Sequence, residues 1–205
     1  TKQVVTDRPR ADTLDAIGAG LSDSALFDLV QKQSIRYFME GAEPVSGCAP
    51  ERIHTDNDYP EDDKNIITSG GTGFGVMSIL VGIERNYFTR EAGFAQLEKI
   101  VTFLERADRF HGAWPHWWNG ETGKVKPFSK YDDGGDLVET SFLLQGLLCV
   151  RQYFKKGTAA EKKLAARIDQ RWREVEFDWY RNGGQNILYW HWSPTNGFDM
   201  NFPVW

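Results

Sequence analysis

The sequence predicts an all-α array of helical hairpins in which apolar helices alternate with amphipathic ones. Three observations carry that expectation. Two segments, Val76–Ile83 and Leu137–Val150, are apolar nearly all round, the pattern of helices covered on every side. Two others, opened by Thr89 and Thr158, carry one apolar stripe and a charged opposite face. The apolar–amphipathic pair recurs with a period of about 65 residues, the mark of a helical repeat. Strand-like alternation is nearly absent, and Ile187–Trp192 is the only candidate strand.

Each element has its own warrant. Leu21–Glu40 reads as the first helix, with Ser22 or Asp23 as cap and Leu26, Phe27, Val30, Tyr37 and Phe38 near helical spacing. The segment 41–65 holds Pro44, Pro50, Pro60 and a run of acids, and so long a connection is usually functional or poorly ordered. The first inner helix is expected to start near Thr72, behind a glycine cluster. After Thr89, Phe94, Leu97, Ile100, Val101, Leu104 and Ala107 form one stripe, with Glu98, Lys99, Glu105 and Arg106 outside it. Segment 111–133 is a second long loop, rich in Trp and Gly. Asp136–Phe154 is the second inner helix. Thr158 and Glu161 then make a capping box for an outer helix through Leu164, Ile168, Trp172 and Val175. From Phe177 to Trp205 the chain is aromatic and irregular. The next inner helix would begin just past Trp205. Residues 21–205 are therefore expected to be the N-terminal portion of a larger domain, incomplete at its C-terminus, behind a flexible polar tail over 1–20.

Composition narrows the function. The chain has 205 residues and a net charge of -5, with no basic cluster, which argues against a nucleic-acid partner. No apolar run reaches membrane-spanning length. Cys48, in a polar loop, and Cys149, in an apolar run, have no metal-ligand company and read as free thiols. Aromatic residues reach 14% and eight are Trp, most of them in the clusters Trp114, Trp117, Trp118 and Trp179, Trp190, Trp192, Trp205. Flat apolar faces with a polar edge suit cores and recognition alike, so composition alone favours core packing.

The segment Tyr131-Asp132-Asp133-Gly134-Gly135-Asp136-Leu137-Val138-Glu139-Thr140 carries four carboxylates in eight residues at the mouth of an inner helix. Glycoside hydrolysis needs such groups, one as acid and one as base, beside an aromatic-walled cleft. The competing reading is a helix cap on Asp133 or Gly135 with acids favoured by the helix dipole. Asp132 and Asp136, near a helix N-terminus, are expected to ionise easily and to serve as base or hydroxyl acceptor. Glu139, one turn further in, is the better acid of the three. Asp136 and Glu139 share a helix face, too close together to be a complete inverting pair. The run Gly70-Gly71-Thr72-Gly73-Phe74-Gly75 lacks a preceding strand and a following Lys, so close helix packing explains it better than a phosphate cradle. Trp114, His116, Trp117, Trp118, Tyr131, Trp190, His191 and Trp192 are the candidate sugar-binding side chains, with indoles for the apolar ring faces and imidazoles for hydroxyls. His116 and His191 follow no zinc spacing, and no metal is expected.

The stretches Gly70–Gly75, Trp114–Trp118, Tyr131–Thr140 and Tyr189–Asn201 (Tyr-Trp-His-Trp-Ser-Pro-Thr-Asn-Gly-Phe-Asp-Met-Asn) resemble the bacterial glucoamylase-like proteins, glycoside hydrolase family 144. The resemblance runs from about Leu21 to the end. It implies an (α/α)6 toroid, of which this would be the N-terminal portion, and endo-acting, inverting hydrolysis of β-1,2-glucan. It also implies export, to the periplasm or cell surface, and no cofactor. The family's D-x3-D-x2-E pattern falls on Asp132, Asp136 and Glu139, the candidate catalytic residues. Its next inner helix opens with a further candidate acid that this sequence does not reach. A monomer acting on an oligo- or polysaccharide is expected. Two other classes compete: a polysaccharide lyase on a similar toroid, and a non-catalytic sugar-binding protein. A lyase wants cations near a uronate, which the acidic mouth here would repel.

Overall fold

A computed structural model describes residues 20–60 and 62–203. The tail expected over 1–20, apart from Gly20, and the indole of Trp205 lie outside the described residues. Among the described residues, five α-helices carry the fold: α1 (Asp23–Met39), α2 (Ser69–Glu84), α3 (Arg90–Arg106), α4 (Leu137–Phe154) and α5 (Ala159–Arg173). The all-α class is as the alternation implies.

Two compact units divide the chain after Ser34. In the first, the Ser22 hydroxyl accepts from the Ala25 N–H and caps α1. Leu26, Phe27 and Val30 are exposed there rather than forming a buried stripe.

In the second unit, α2 and α4 are the inner pair and α3 and α5 the outer pair. Glycines bring the inner pair together. A Cβ on Gly73 would collide with the Phe142 carbonyl, and one on Gly146 with the Gly73 carbonyl, so the two backbones are in contact. The outer helices lay one stripe on that pair: Leu97, Ile100, Val101 and Leu104 from α3, Leu164 and Ile168 from α5. Their caps are local and legible. Thr89 accepts from the Ala92 N–H, and Thr158 with Glu161 closes a full capping box. Arg167 of α5 makes two 2.8 Å bonds to Glu105 of α3. At the surface such a pair contributes under about 1 kcal/mol, so apolar burial holds the outer layer.

Two expectations are corrected here. The glycine cluster is not a turn before a helix: Gly70–Gly75 form the first turns of α2 itself, because the preceding residues pair as a strand. That strand, β1 (Ile66–Thr68), runs antiparallel to β2 (Trp117–Asn119), with Thr68 opposite Trp117. Ile187–Trp192 is likewise not the only strand. Its last two residues pair as β4 (His191–Trp192) against β3 (Gly135–Asp136), and Tyr189 makes an isolated bridge to Pro203. Cys48 and Cys149 are both free. Cys48 is buried despite its polar loop, and burial pushes its thiol up to about 12.

Candidate active site

A short strand leads into each inner helix, and the two lead-in segments meet. The Ser69 N–H donates to the His116 carbonyl, and the Ser69 hydroxyl to the Pro115 carbonyl. The Asp136 N–H donates to the Trp114 carbonyl, and the Leu137 N–H to the Trp190 carbonyl. Segments 114–119, 132–139 and 190–192 therefore gather at one end of the α2–α4 pair. In β3 and β4, Asp136 stands opposite His191 and Gly135 opposite Trp192. Successive side chains of a strand point to opposite faces. Asp136 and His191 thus share one face, and Trp192 turns to the other, against Trp179 and His111.

Four titratable side chains meet on the first face. His116 Nδ1 lies 3.2 Å from Asp132 Oδ2 and 3.9 Å from Asp136 Oδ2. His191 Nε2 lies 3.1 Å from the other oxygen of Asp132. Asp136 is the N-cap of α4, accepting from the Glu139 N–H at 2.8 Å, which corrects the expectation of Asp133 or Gly135. The Trp190 indole N–H lies 3.0 Å from both Asp136 oxygens. Glu139 reaches across to α2 and accepts from the Gly70 N–H at 2.9 Å.

The two aspartates are driven apart. Burial pushes Asp132 up, but the hydrogen bonds and charges of His116 and His191 outweigh it and hold the carboxyl at about 2. Asp136 is raised to about 7, mainly by burial, then by the neighbouring charges of Asp132 and Glu139, against the Glu139 N–H. The expectation that Asp136 ionises easily is corrected: desolvation and a like charge outweigh the helix terminus. Burial opposes the charged form of His116, yet its bond to Asp132 and the surrounding carboxylates raise it. Glu139, expected to be the better acid, turns its Oε2 toward the N-terminus of α2.

A 290 Å³ cavity opens beside this cluster, lined by His116, Phe128, Ser129, Asp132, Trp190, His191, Met200 and Phe202. Of the candidates, Asp132, His116, His191 and Trp190 reach its wall. Trp117 stands just behind, edge-on to Phe128 at 4.7 Å, its N–H on Glu51. Asp136 is 1% exposed and backs the wall. Trp114 and Trp118 do not bind a ligand in this arrangement: both are wholly buried core, their indole N–H groups on the Leu104 and Asp108 carbonyls. Trp192 points away, for the strand reason given. Tyr131 is exposed beside Lys130 and off the wall. Sequence reasoning missed Phe128, which stacks on His116 at 4.4 Å, and Phe202. Met200 lay within the Tyr189–Asn201 stretch, the one signal available for it.

His116 Nδ1 and one oxygen from each aspartate lie within 4.8 Å of one another. The carboxylates that raise His116 toward its protonated form would also attract a cation, so proton and cation would compete for that nitrogen. The arrangement is that of a proton-sharing cluster. A wider groove of about 910 Å³ beside Phe177 and Trp179 holds acids too, Glu176 and Asp178, but both are exposed and unconverged.

No protein-family model matches the chain. It is 47% identical over 193 residues to an exo β-1,2-glucooligosaccharide sophorohydrolase (non-reducing end) of Parabacteroides distasonis, covering 93% of this chain and 26% of that protein. Endo-β-1,2-glucanase from Chitinophaga pinensis, solved with sophorotriose and glucose, superposes with a TM-score of 0.88 at 66% identity, over 90% of this chain and 44% of that one. β-1,2-Glucanase from Parabacteroides distasonis does so with a TM-score of 0.83 at 46% identity, over 90% and 26%. The chain thus spans less than half the length of each of these relatives. Over nine-tenths of its own length it is similar to a sophorohydrolase and to β-1,2-glucanases, as its motifs imply.

Proposed function

We propose that the protein carrying this chain hydrolyses β-1,2-linked glucan, internally and with inversion, and that this chain forms the N-terminal portion of its (α/α)6 domain. The observation that carries the reading is a carboxylate pair with opposed acidities, Asp132 on the wall of an aromatic cavity and Asp136 directly behind it. Paired titratable groups driven apart by their surroundings are how one site supplies both acid and base chemistry. The cavity wall carries no Lys or Arg that would hold a uronate, which speaks against the lyase reading.

The residues divide the work by position. Asp132, ionised and on the wall, accepts a proton from a sugar hydroxyl or from the attacking water. Asp136, raised to about 7 and so about half protonated at neutral pH, lies behind it and takes up or returns that proton, with His116 held between the two carboxylates. An inverting site separates its carboxyl groups by roughly 6.5–9.5 Å to admit water. The facing oxygens of Asp132 and Asp136 lie within 4.8 Å, so they act on one side of the bond. The group that protonates the glycosidic oxygen belongs to a different element, and we place it in the remainder of the domain. Trp190, Phe128 and Phe202 offer apolar faces to a glucose ring. Export to the periplasm or cell surface, and a monomeric state, complete the proposal.

The test uses the whole protein on linear β-1,2-glucan, with β-1,3-glucan and polyuronate as controls. Expected are sophoro-oligosaccharides of mixed length whose new reducing ends are first the α-anomer by NMR. Asp132→Asn should lower kcat by about 100-fold or more with melting temperature unchanged. Release of products from a control polymer but not from β-1,2-glucan would overturn the reading.

A further inference from the structure

We propose that His116 and His191 are a positioning pair, two imidazoles on opposite oxygens of Asp132 that fix this carboxylate against Asp136 instead of binding substrate hydroxyls. The proposal rests on the glucan-hydrolase reading of the same site and assigns its supporting residues.

The geometry is one-sided in a useful way. His116 uses Nδ1, 3.2 Å from Asp132 Oδ2. His191 uses Nε2, 3.1 Å from Asp132 Oδ1. A ring nitrogen that close to a carboxylate oxygen needs a proton between them, or two lone pairs would face each other. The Gly134 N–H donates to the same His191 Nε2 from 3.4 Å, and Asp132 Oδ1 has no aligned hydrogen-bond donor among the described residues, so His116 makes the aligned hydrogen bond to the carboxylate and His191 holds the other oxygen as a close charge partner. His191 Nδ1 is buried and has no hydrogen-bond partner among the described residues, and His191 is 3% exposed. A histidine meant to bind hydroxyls would turn an open nitrogen to the cavity. Here the nitrogen in use faces Asp132.

Both rings are themselves held. Phe128 stacks on His116 at 4.4 Å and 7°. His191 sits in β4, paired opposite Asp136. Such packing converts a flexible carboxylate into one with a single position, and a 1 Å misplacement at a reacting group costs on the order of 100-fold in rate. The charged and titratable groups around the two aspartates come from every packed element. His116 comes from the segment before β2, His191 from β4, Glu139 from α4 and Tyr180 from the turn at Trp179–Arg181. Asp133 turns outward to Thr195. Among the described residues the two imidazoles are the charge partners of the Asp132 carboxylate, so removing either should raise its pKa.

The amide side chains discriminate between the two ring nitrogens. The Gln amide nitrogen reaches about as far as Nε2, and that of Asn about as far as Nδ1. At position 191, His191→Gln should keep kcat within about 10-fold, while His191→Asn and His191→Ala lose about 100-fold with KM nearly unchanged. At position 116 the order reverses: His116→Asn is tolerated and His116→Gln behaves like His116→Ala. In the impaired variants the acidic limb of the kcat–pH profile moves to higher pH. A rise in KM with kcat intact would mean hydroxyl binding and overturn the proposal, as would equal behaviour of Asn and Gln at both positions. His191 is buried, so its variants need a folding check; His116, with 22% of its side chain exposed, carries the same test where they fail. A carboxyl-carbon NMR titration of Asp132 needs no substrate. If the wild type ignores β-1,2-glucan, the functional reading fails, yet an Asp132 midpoint raised by His116→Ala still upholds the clamp, and an unmoved one sinks it.

Discussion

Asp136→Asn isolates the cost of burying a carboxyl at the mouth of α4. Asn caps a helix about as well as Asp, so the bond from the Glu139 N–H survives the change. What disappears is the proton equilibrium. Asp136 is raised to about 7, chiefly by burial and then by the charges of Asp132 and Glu139. Its folded pKa therefore lies above its unfolded one. The stability it contributes is fully present below the unfolded value, near 4, and is lost as pH rises through about 7. A displacement of about 3 units at about 1.4 kcal/mol each sets a ceiling of roughly 4 kcal/mol on the stability lost by alkaline pH, more than half of it between pH 5 and pH 8.5. His116 moves with it and takes up part of the charge, leaving an expected difference of about 2 kcal/mol. Urea unfolding of the whole protein at pH 5 and pH 8.5 reads this directly. The variant should gain on the wild type by about 2 kcal/mol between the two. A gap that stays constant within about 0.5 kcal/mol would show that Asp136 is not held protonated by the fold.

Two further outcomes follow from packing. Trp118→Ala empties a fully buried site and should cost about 3–5 kcal/mol in unfolding free energy, whereas Trp190→Ala should leave stability within about 1 kcal/mol and weaken glucan turnover; equal stability losses would contradict the separation of core from wall. Gly73→Ala forces a Cβ into the Phe142 carbonyl and should lower stability by about 1–3 kcal/mol or more, read by thermal unfolding, while an unchanged melting temperature would mean that α2 and α4 have room between them.

The layering was legible because it is written in local periodicity. Which helix is inner depends on whether one stripe or all sides are apolar: off the Val76, Ile79, Ile83 stripe α2 carries Met77, Leu80 and Val81, whereas off the Leu97, Ile100, Leu104 stripe α3 carries Glu98, Lys99 and Glu105. The caps at Thr89 and Thr158 need only three residues of context. The start of α2 was misplaced because a distant pairing decides it, Thr68 with Trp117, and no local rule contains that pair. The Trp residues failed for a related reason. Trp117 and Trp118 are neighbours in β2, so one turns to Glu51 and Phe128 and the other to Phe103 in the core. Spacing announces that they part company but not which of them faces the cavity. The acidity of Asp136 was misjudged because a helix terminus is visible in sequence, while burial and the approach of Asp132 are tertiary facts.

The glycine run and the carboxylate cluster, read from the sequence as separate features, are mechanically one. Gly73 and Gly146 let α2 and α4 touch through their backbones, and that contact sets how close the helix mouths come. At the same crossing, a Cβ on Gly70 would collide with Glu139 Oε2, so only glycine there lets the Glu139 carboxylate settle on the α2 N–H. Glu139 also supplies, from its own backbone, the N–H that Asp136 accepts. The carboxylate of one residue is thus tied to α2 while its amide holds the cap of α4. The separation of the charges around Asp132 and Asp136 is therefore fixed by helix packing, and the glycines act on the chemistry without being near the cavity wall. A site built this way holds its like charges together because the inner helices leave them no room to part.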